Sequence, residues 1–161
     1  MIGRAEAADA GELLTLQRAA YVTEAQAYGD AFIAPLVEPL DRVVALLDTA
    51  AVVLKAVEDG RMVGAVRTAV QGRTCLVSRL VVAPDMQGRG IGTALLRAVE
   101  DEMRGLVTSL VLFTGHLSAG NLRLYRRLGY VEYRRERVSD HLVHVHLRKP
   151  LSEHAETVTP A

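Results

Sequence analysis

The sequence predicts a single α/β domain built on one mixed, mostly antiparallel central sheet flanked by helices, and three observations lead there. The 161 residues are about the length of one domain, and 50% of them are hydrophobic, enough for a sizeable core. Stretches rich in β-branched residues and stretches with helical spacing follow one another along the chain. Two pairs of strand-like segments are separated only by short polar or glycine-containing links, as antiparallel neighbours require.

The elements follow in order. Residues 10–28, "AGELLTLQRAAYVTEAQAY", carry Leu13, Leu14, Leu16 and Ala20 at helical spacings, and Gly29-Asp30 and Pro35 interrupt them. "PLDRVVALLD" reads as a short helix with Pro39 near its start and Val43, Leu46 and Leu47 along one side. "AVVLKAVED" and "MVGAVRTAV" read as strands joined as a hairpin through Gly60-Arg61. "TCLVSRLVVAP" is a further strand, ended by Pro84. A helix then begins near Arg89, with Ile91, Leu95 and Val99 on one side. "SLVLFT" is a strand, "SAGNLRLYRRLG" a helix, and "YVEYRRERV" with "HLVHVHLRK" a final antiparallel pair. The domain is expected over residues 1–150, with a loose polar tail over 151–161.

Composition removes several classes of function. Lys plus Arg equals Asp plus Glu at 19 each, so the charge balance gives no support for a nucleic-acid partner. The longest apolar runs are broken by charges too soon to span a bilayer. Cys75 stands alone and has no internal disulfide partner, and with no leader-like apolar run at the start the expected setting is cytoplasmic.

The most informative stretch is "VVAPDMQGRGIGTALLRAVE", residues 81–100, where Gly88, Gly90 and Gly92 fall between a strand and a helix. A helix start leaves about four N–H groups without intrahelical partners. Glycines let another group approach them, and phosphate oxygens are suited to the positive end of the helix. The junction is not a P-loop, because it lacks the Lys-Ser or Lys-Thr pair. It is a poor dinucleotide fingerprint, because the glycines are spaced Gly-x-Gly-x-Gly late in the chain.

Here the sequence resembles the GNAT family, the GCN5-related N-acetyltransferases. The family signature Gln/Arg-x-x-Gly-x-Gly/Ala is matched at Gln87, Gly90 and Gly92 within "QGRGIGTALL". "RLVVAP" looks like the family's central strand, and "NLRLYRRLGY" like its later helix and the Gly-Tyr ending at Gly129-Tyr130. The resemblance implies an acyl-CoA N-acyltransferase-like fold and acetyl-CoA as the acyl donor. It also implies pantetheine contacts along Leu80, Val81 and Val82, and a pyrophosphate loop of Gln87, Gly88, Arg89, Gly90, Ile91, Gly92 and Thr93. Tyr125 matches the tyrosine often found near the cofactor sulfur. Many members carry an asparagine seven residues before that tyrosine, where this chain has Ser118. Asn121, four residues before it, is therefore carried as a cofactor contact, and Ser118 as a cap of the helix. Arg123, Arg126 and Arg127 form a basic helix surface able to meet a terminal phosphate.

Acetyl transfer to an amine needs a base for the amine proton, a donor for the carbonyl oxygen and an acid for the departing thiolate. Backbone N–H groups near Leu80 or Val82 suit the oxyanion, and the Tyr125 phenol suits the thiolate. Between Thr74 and Ala83 there is no Asp, Glu or His, so the base is sought elsewhere. Glu24 and Tyr28 share a helix face by their spacing, and Glu24 is the catalytic candidate. His116, after "SLVLFT", is another possible base. Strand alternation places His144 and His146 on one face, but no local spacing supplies a third metal ligand. Glu24, Asp30 and Glu38 together suggest an acidic pocket for a cationic amine. The expected function is N-acetyl transfer to a small-molecule or peptide amine in a ternary complex, in a possible homodimer. A noncatalytic acyl-CoA sensor and a nucleotide-binding protein stand as alternatives.

Overall fold

The computed structural model describes residues 1–152. Its strands are β1 (Ile2–Arg4), β2 (Val53–Glu58), β3 (Arg61–Gln71), β4 (Thr74–Val82), β5 (Ser109–Gly115), β6 (Val131–Arg137) and β7 (Val143–Pro150). Its helices are α1 (Ala10–Tyr28), α2 (Ala34–Val37), α3 (Leu40–Leu47), α4 (Ile91–Met103) and α5 (Ala119–Arg127). The strands form a seven-stranded sheet in the order β1-β2-β3-β4-β5-β7-β6. Every neighbouring pair is antiparallel except β4 and β5, which run parallel. The mixed, mostly antiparallel sheet expected from the sequence is therefore present, with one strand, β1, that three residues were too few to announce.

Alternation on β3 decides which helix covers which face. A Cβ built on Gly64 would fall 2.8 Å from Ile91 Cγ2 and 2.9 Å from Leu95 Cδ1, so this position faces α4 and its lack of a side chain lets the helix sit close. Arg67, three residues on and therefore on the other face, reaches Gln17 of α1. The sheet is thus sandwiched between α1 and α4. Leu13, Leu14 and Leu16 of α1 and Leu95, Leu96 and Val99 of α4 are all buried, each worth about 1.5–3 kcal/mol of apolar transfer.

Two turns show how local chemistry sets the register. Asp59 (φ 51°) and Gly60 (φ 75°) make the β2–β3 turn, so Arg61 is already the first residue of β3, paired with Glu58. The hairpin joint lies one residue earlier than expected because Asp tolerates the left-handed region. At the other end, Leu151 is buried and its N–H donates to Thr108 O at 2.9 Å. Residue 151, where the loose tail was expected to begin, is therefore packed on the domain, and residues 153–161 lie outside the described residues. No helix among the described residues is long and apolar enough to cross a membrane.

Candidate active site

The site begins where the parallel pair opens. β4 and β5 pair only through Thr74–Leu76 and Ser109–Val111, although β4 continues to Val82 and β5 to Gly115. The gap beyond is a cleft of about 720 Å³. One wall is α1 through Tyr21, Thr23 and Glu24, a second is the end of β4 through Leu80, Val81 and Val82, and the third is the start of α4 facing Ser118–Arg127.

The β4 wall offers backbone as well as side chains. Ala83 N–H donates to Val63 O at 2.8 Å across β3. By strand alternation Val81 also bonds towards β3, which turns the N–H and C=O groups of Leu80 and Val82 to the opened side. The sheet is distorted just before them: Ala65 pairs with Val81 but Arg67 pairs with Ser78, so Arg79 and Leu80 together oppose Val66. Arg79 takes φ 50° there, the mark of a β-bulge.

The glycine junction forms the adjoining floor. Gly88 (φ 76°) and Gly90 (φ 80°) are left-handed, and Gly90 is the N-cap residue of α4. The helix starts at Ile91, not near Arg89, because the left-handed Gly90 cannot continue it backwards. A Cβ on Gly88 or Gly90 would meet nothing within 4 Å, so open space lies above this turn. The N–H groups of Ile91, Gly92 and Thr93 precede the first intrahelical bond, Ala94 N–H to Gly90 O at 3.0 Å. A Cβ on Gly92 would lie 3.4 Å from Leu124 Cδ2, an ordinary contact, so this third glycine faces α5 without being required for the approach. Arg127 donates from Nη2 to Thr93 Oγ1 at 3.4 Å, and Arg123 and Arg127 both line the cleft. Arg126 instead pairs with Glu132 at 3.4 Å. Arg89 is exposed, outside the cleft wall.

Across the cleft, a chain of hydrogen bonds ends on a carboxylate. Ser118 Oγ donates to Glu24 Oε2 at 2.6 Å, and Leu117 N–H donates to Tyr28 Oη at 3.0 Å. Tyr28 Oη and Ser118 Oγ are 2.9 Å apart. With the serine proton committed to Glu24, tyrosine is the donor between them. Ser118 stands at the N-cap of α5 but makes no side-chain cap bond, correcting the expectation that it serves the helix. Gly115 makes the arrangement possible, since a Cβ there would fall 1.9 Å from Tyr28 Oη.

The sequence model of the family described as "Acetyltransferase (GNAT) domain" matches residues 17–151. The chain belongs to the GNAT acetyltransferase family. A curated relative, "IAA acetyltransferase" of Azospirillum brasilense, is 36% identical over 70 residues, which span 43% of this chain and 46% of that protein. Among solved structures, the ribosomal-protein-S18-alanine N-acetyltransferase of Escherichia coli superposes with TM-score 0.79 at 21% identity, covering 98% of this chain and 97% of the other. The yncA protein of Salmonella typhimurium, solved with its cofactor acetyl-CoA, gives TM-score 0.77 at 21% identity over 99% and 98% of the two chains.

This GNAT domain places its other expected residues as follows. Tyr125 is buried in α5, its ring centroid 5.9 Å from that of Tyr130, and it lies behind the cleft wall. Burial, reinforced by Tyr21, Tyr130 and Glu24, raises the pKa of its phenol far above the ordinary value, so the hydroxyl keeps its proton. Asn121 lines the cleft and its Nδ2 lies 3.5 Å from Thr114 Oγ1. His116 Nδ1 accepts from Val143 N–H at 3.0 Å, which occupies that nitrogen with backbone. His144 and His146 do share a face, where both rings pack on Phe113.

The acidic pocket is corrected. Glu38 accepts from Arg67 Nη1 at 3.1 Å and from Gln17 Nε2 at 3.0 Å, and Asp30 Oδ1 accepts from Phe32 N–H at 2.8 Å. Of the three carboxylates only Glu24 opens on the cleft. Sequence reasoning missed Tyr21, although Tyr21, Glu24 and Tyr28 at i, i+3 and i+7 mark one helix face. It also missed the Ser118–Glu24 bond, which no local spacing encodes.

Proposed function

We propose that this domain transfers the acetyl group of acetyl-CoA to a primary amine by direct attack in a ternary complex. The observation that carries this reading is continuity: the open backbone edge of Leu80 and Val82 runs into the unpartnered amides of Ile91–Thr93, both in the cleft that Glu24 enters. A diphosphate fits the amides at the positive end of α4, where the glycines leave room, with Arg123 and Arg127 adding positive charge. An amide-bearing arm fits the β4 edge as an added strand would. Acetyl-CoA supplies the activated thioester carbonyl.

The chain's own groups account for the proton movements. Glu24, held by Ser118, takes the proton from the amine as its nitrogen attacks the carbonyl carbon. The N–H groups of Leu80 and Val82 face the side where the carbonyl oxygen gains charge. The C–S bond breaks, and Tyr125, whose phenol stays protonated, donates a hydrogen bond towards the departing thiolate, which takes up its proton from water. The acceptor is a small-molecule or peptide amine. Exposed Val131 and Tyr133 on the β6 edge support a homodimer, and the free thiol of Cys75 supports a cytoplasmic setting.

Release of free coenzyme A thiol over a panel of primary amines tests the reading. Amine-dependent release by the wild-type chain, strongly reduced in Glu24→Gln, is expected. Acetyl-CoA binding without transfer to any amine would favour a noncatalytic acyl-CoA sensor instead.

A further inference from the structure

Ser118 has the surroundings of a nucleophile, which the acetyl transfer above does not use. It stands in the turn between β5 and α5, at the N-cap of the helix, and strand-to-helix turns are places where serine nucleophiles are presented. A serine at an N-cap ordinarily accepts from a helix amide, a bond worth about 1 kcal/mol. Ser118 makes no such bond. Its hydroxyl donates instead to Glu24 Oε2 at 2.6 Å, and a hydroxyl bonded to a base is the pairing that nucleophilic catalysis requires.

The bonds around the oxygen show how it can react. A serine hydroxyl has one proton and two lone pairs. The proton goes to Glu24, and one lone pair accepts from Tyr28 Oη at 2.9 Å. The second lone pair has no partner among the described residues. Ser118 lines the cleft together with Ala119 and Gly120, and a Cβ on Gly120 would meet nothing within 4 Å, so the turn beside it stands open. At 8% exposure the residue is otherwise shielded from bulk water.

Glu24 also locates the hydroxyl relative to the reacting carbonyl. The amine nitrogen that loses its proton to Glu24 and Ser118 Oγ are partners of one carboxylate. Two partners, each about 2.8 Å from a carboxylate, lie within roughly 3–5 Å of one another, and an attacking atom sits about 3 Å from the carbon it attacks. With no amine present, Ser118 is the nucleophile that Glu24 already holds.

We propose that Ser118 is an acetylation site: with acetyl-CoA bound and no amine in the cleft, the chain acetylates its own Ser118 Oγ. This rests on the acetyltransferase reading above, from which it takes the donor, and adds a covalent product to it. The second lone pair of Oγ bonds to the thioester carbonyl carbon as the Oγ proton passes to Glu24. The N–H groups of Leu80 and Val82 face the oxygen that gains charge. The C–S bond breaks with its electron pair on sulfur, the thiolate takes a proton from water, and Glu24 returns its own to water. The products are an acetyl ester on Ser118 and free coenzyme A thiol. The ester has no proton to donate to Glu24, so acetylation releases the carboxylate that this bond fixes.

Peptide mass spectrometry of the full-length chain, incubated with excess acetyl-CoA in an amine-free buffer, tests this, with acetyl-CoA binding measured in parallel by calorimetry. An acetyl group is expected on Ser118, removed by hydroxylamine as an ester is and an acetylated lysine is not. The same chain unfolded in urea is expected to stay unmodified at that position. Glu24→Gln is expected to slow the labelling by about 10²–10⁴-fold with acetyl-CoA affinity unchanged. No ester on Ser118 in wild-type chain saturated with acetyl-CoA would overturn the proposal. Labelling that proceeds at an unchanged rate in Glu24→Gln, or in the unfolded chain, would overturn it too. Failure of the wild type to bind acetyl-CoA is a separate readout, and would remove the acetyltransferase reading and this proposal with it.

Discussion

Ser118 donates a 2.6 Å hydrogen bond to Glu24 across 94 residues of sequence, joining the start of α5 to the cleft-facing side of α1. The bond fixes the carboxylate that the mechanism uses as base, and it makes the geometry of the acceptor side depend on two helices that are distant in the chain.

Removing the base isolates chemistry from binding. Glu24→Gln keeps the size of the side chain and can still accept from Ser118, but it cannot take the amine proton. Steady-state kinetics are expected to show kcat lowered by about 10²–10⁴-fold, with the Kd for acetyl-CoA unchanged. An unchanged kcat would show that another group is the base.

The tyrosine beneath the serine acts only through position. Tyr28→Phe removes the proton donated to Ser118 Oγ and the acceptor of Leu117 N–H, and is expected to lower kcat by about 3–10-fold, the effect of losing neutral hydrogen bonds that only position Ser118. Gly115→Ala is the harsher change, because its methyl would occupy the place of Tyr28 Oη. It is expected to cost about 1–3 kcal/mol of stability by overpacking, read from denaturant midpoints.

Tyr125 is assigned the hydrogen bond to the departing thiolate. Tyr125→Phe keeps the buried ring and removes only the hydroxyl, so stability should change little while kcat falls by about 10–100-fold. The loss should shrink for thioesters whose leaving thiol is more acidic, since these need less help to depart. An equal loss with every thioester would argue for a packing role.

The Glu38 cluster sets a pH dependence of stability. Burial alone would raise the Glu38 pKa, but hydrogen bonds from Arg67 and Gln17 together outweigh it and lower the pKa to about 2. A depressed carboxylate stabilises the fold above its unfolded value, near 4.5, and that contribution disappears as pH falls towards 2. Glu38→Gln should therefore lower the melting temperature markedly at pH 7, by the equivalent of roughly 3 kcal/mol. The gap to wild type should narrow steadily below pH 4.5.

Much of this was legible because the signals were local. The glycines of residues 88–92 fall where a left-handed turn meets a helix start, and alternation placed His144 and His146 on one face before any coordinates were needed. What escaped was long-range. The Ser118–Glu24 bond depends on how α1 crosses the end of β5, and the engagement of Glu38 depends on Arg67 emerging on the α1 face of β3. The same limit explains why Glu38 was grouped with Glu24 as an acidic pocket: sequence shows carboxylates, but only packing shows which are already neutralised. Arg79 was invisible because arginine carries no propensity for the backbone it adopts there.

Calorimetric titration of the full-length chain with acetyl-CoA, with adenosine triphosphate as comparator, tests the central claim most directly, and Gly90→Ala provides the structural control. The substitution strains φ 80° by about 1 kcal/mol and puts a methyl into the open space above the turn. The account predicts saturable binding of acetyl-CoA at about micromolar Kd, weakened about ten-fold or more in the folded variant, and little response to the triphosphate. Folded wild-type protein that does not bind acetyl-CoA would contradict it.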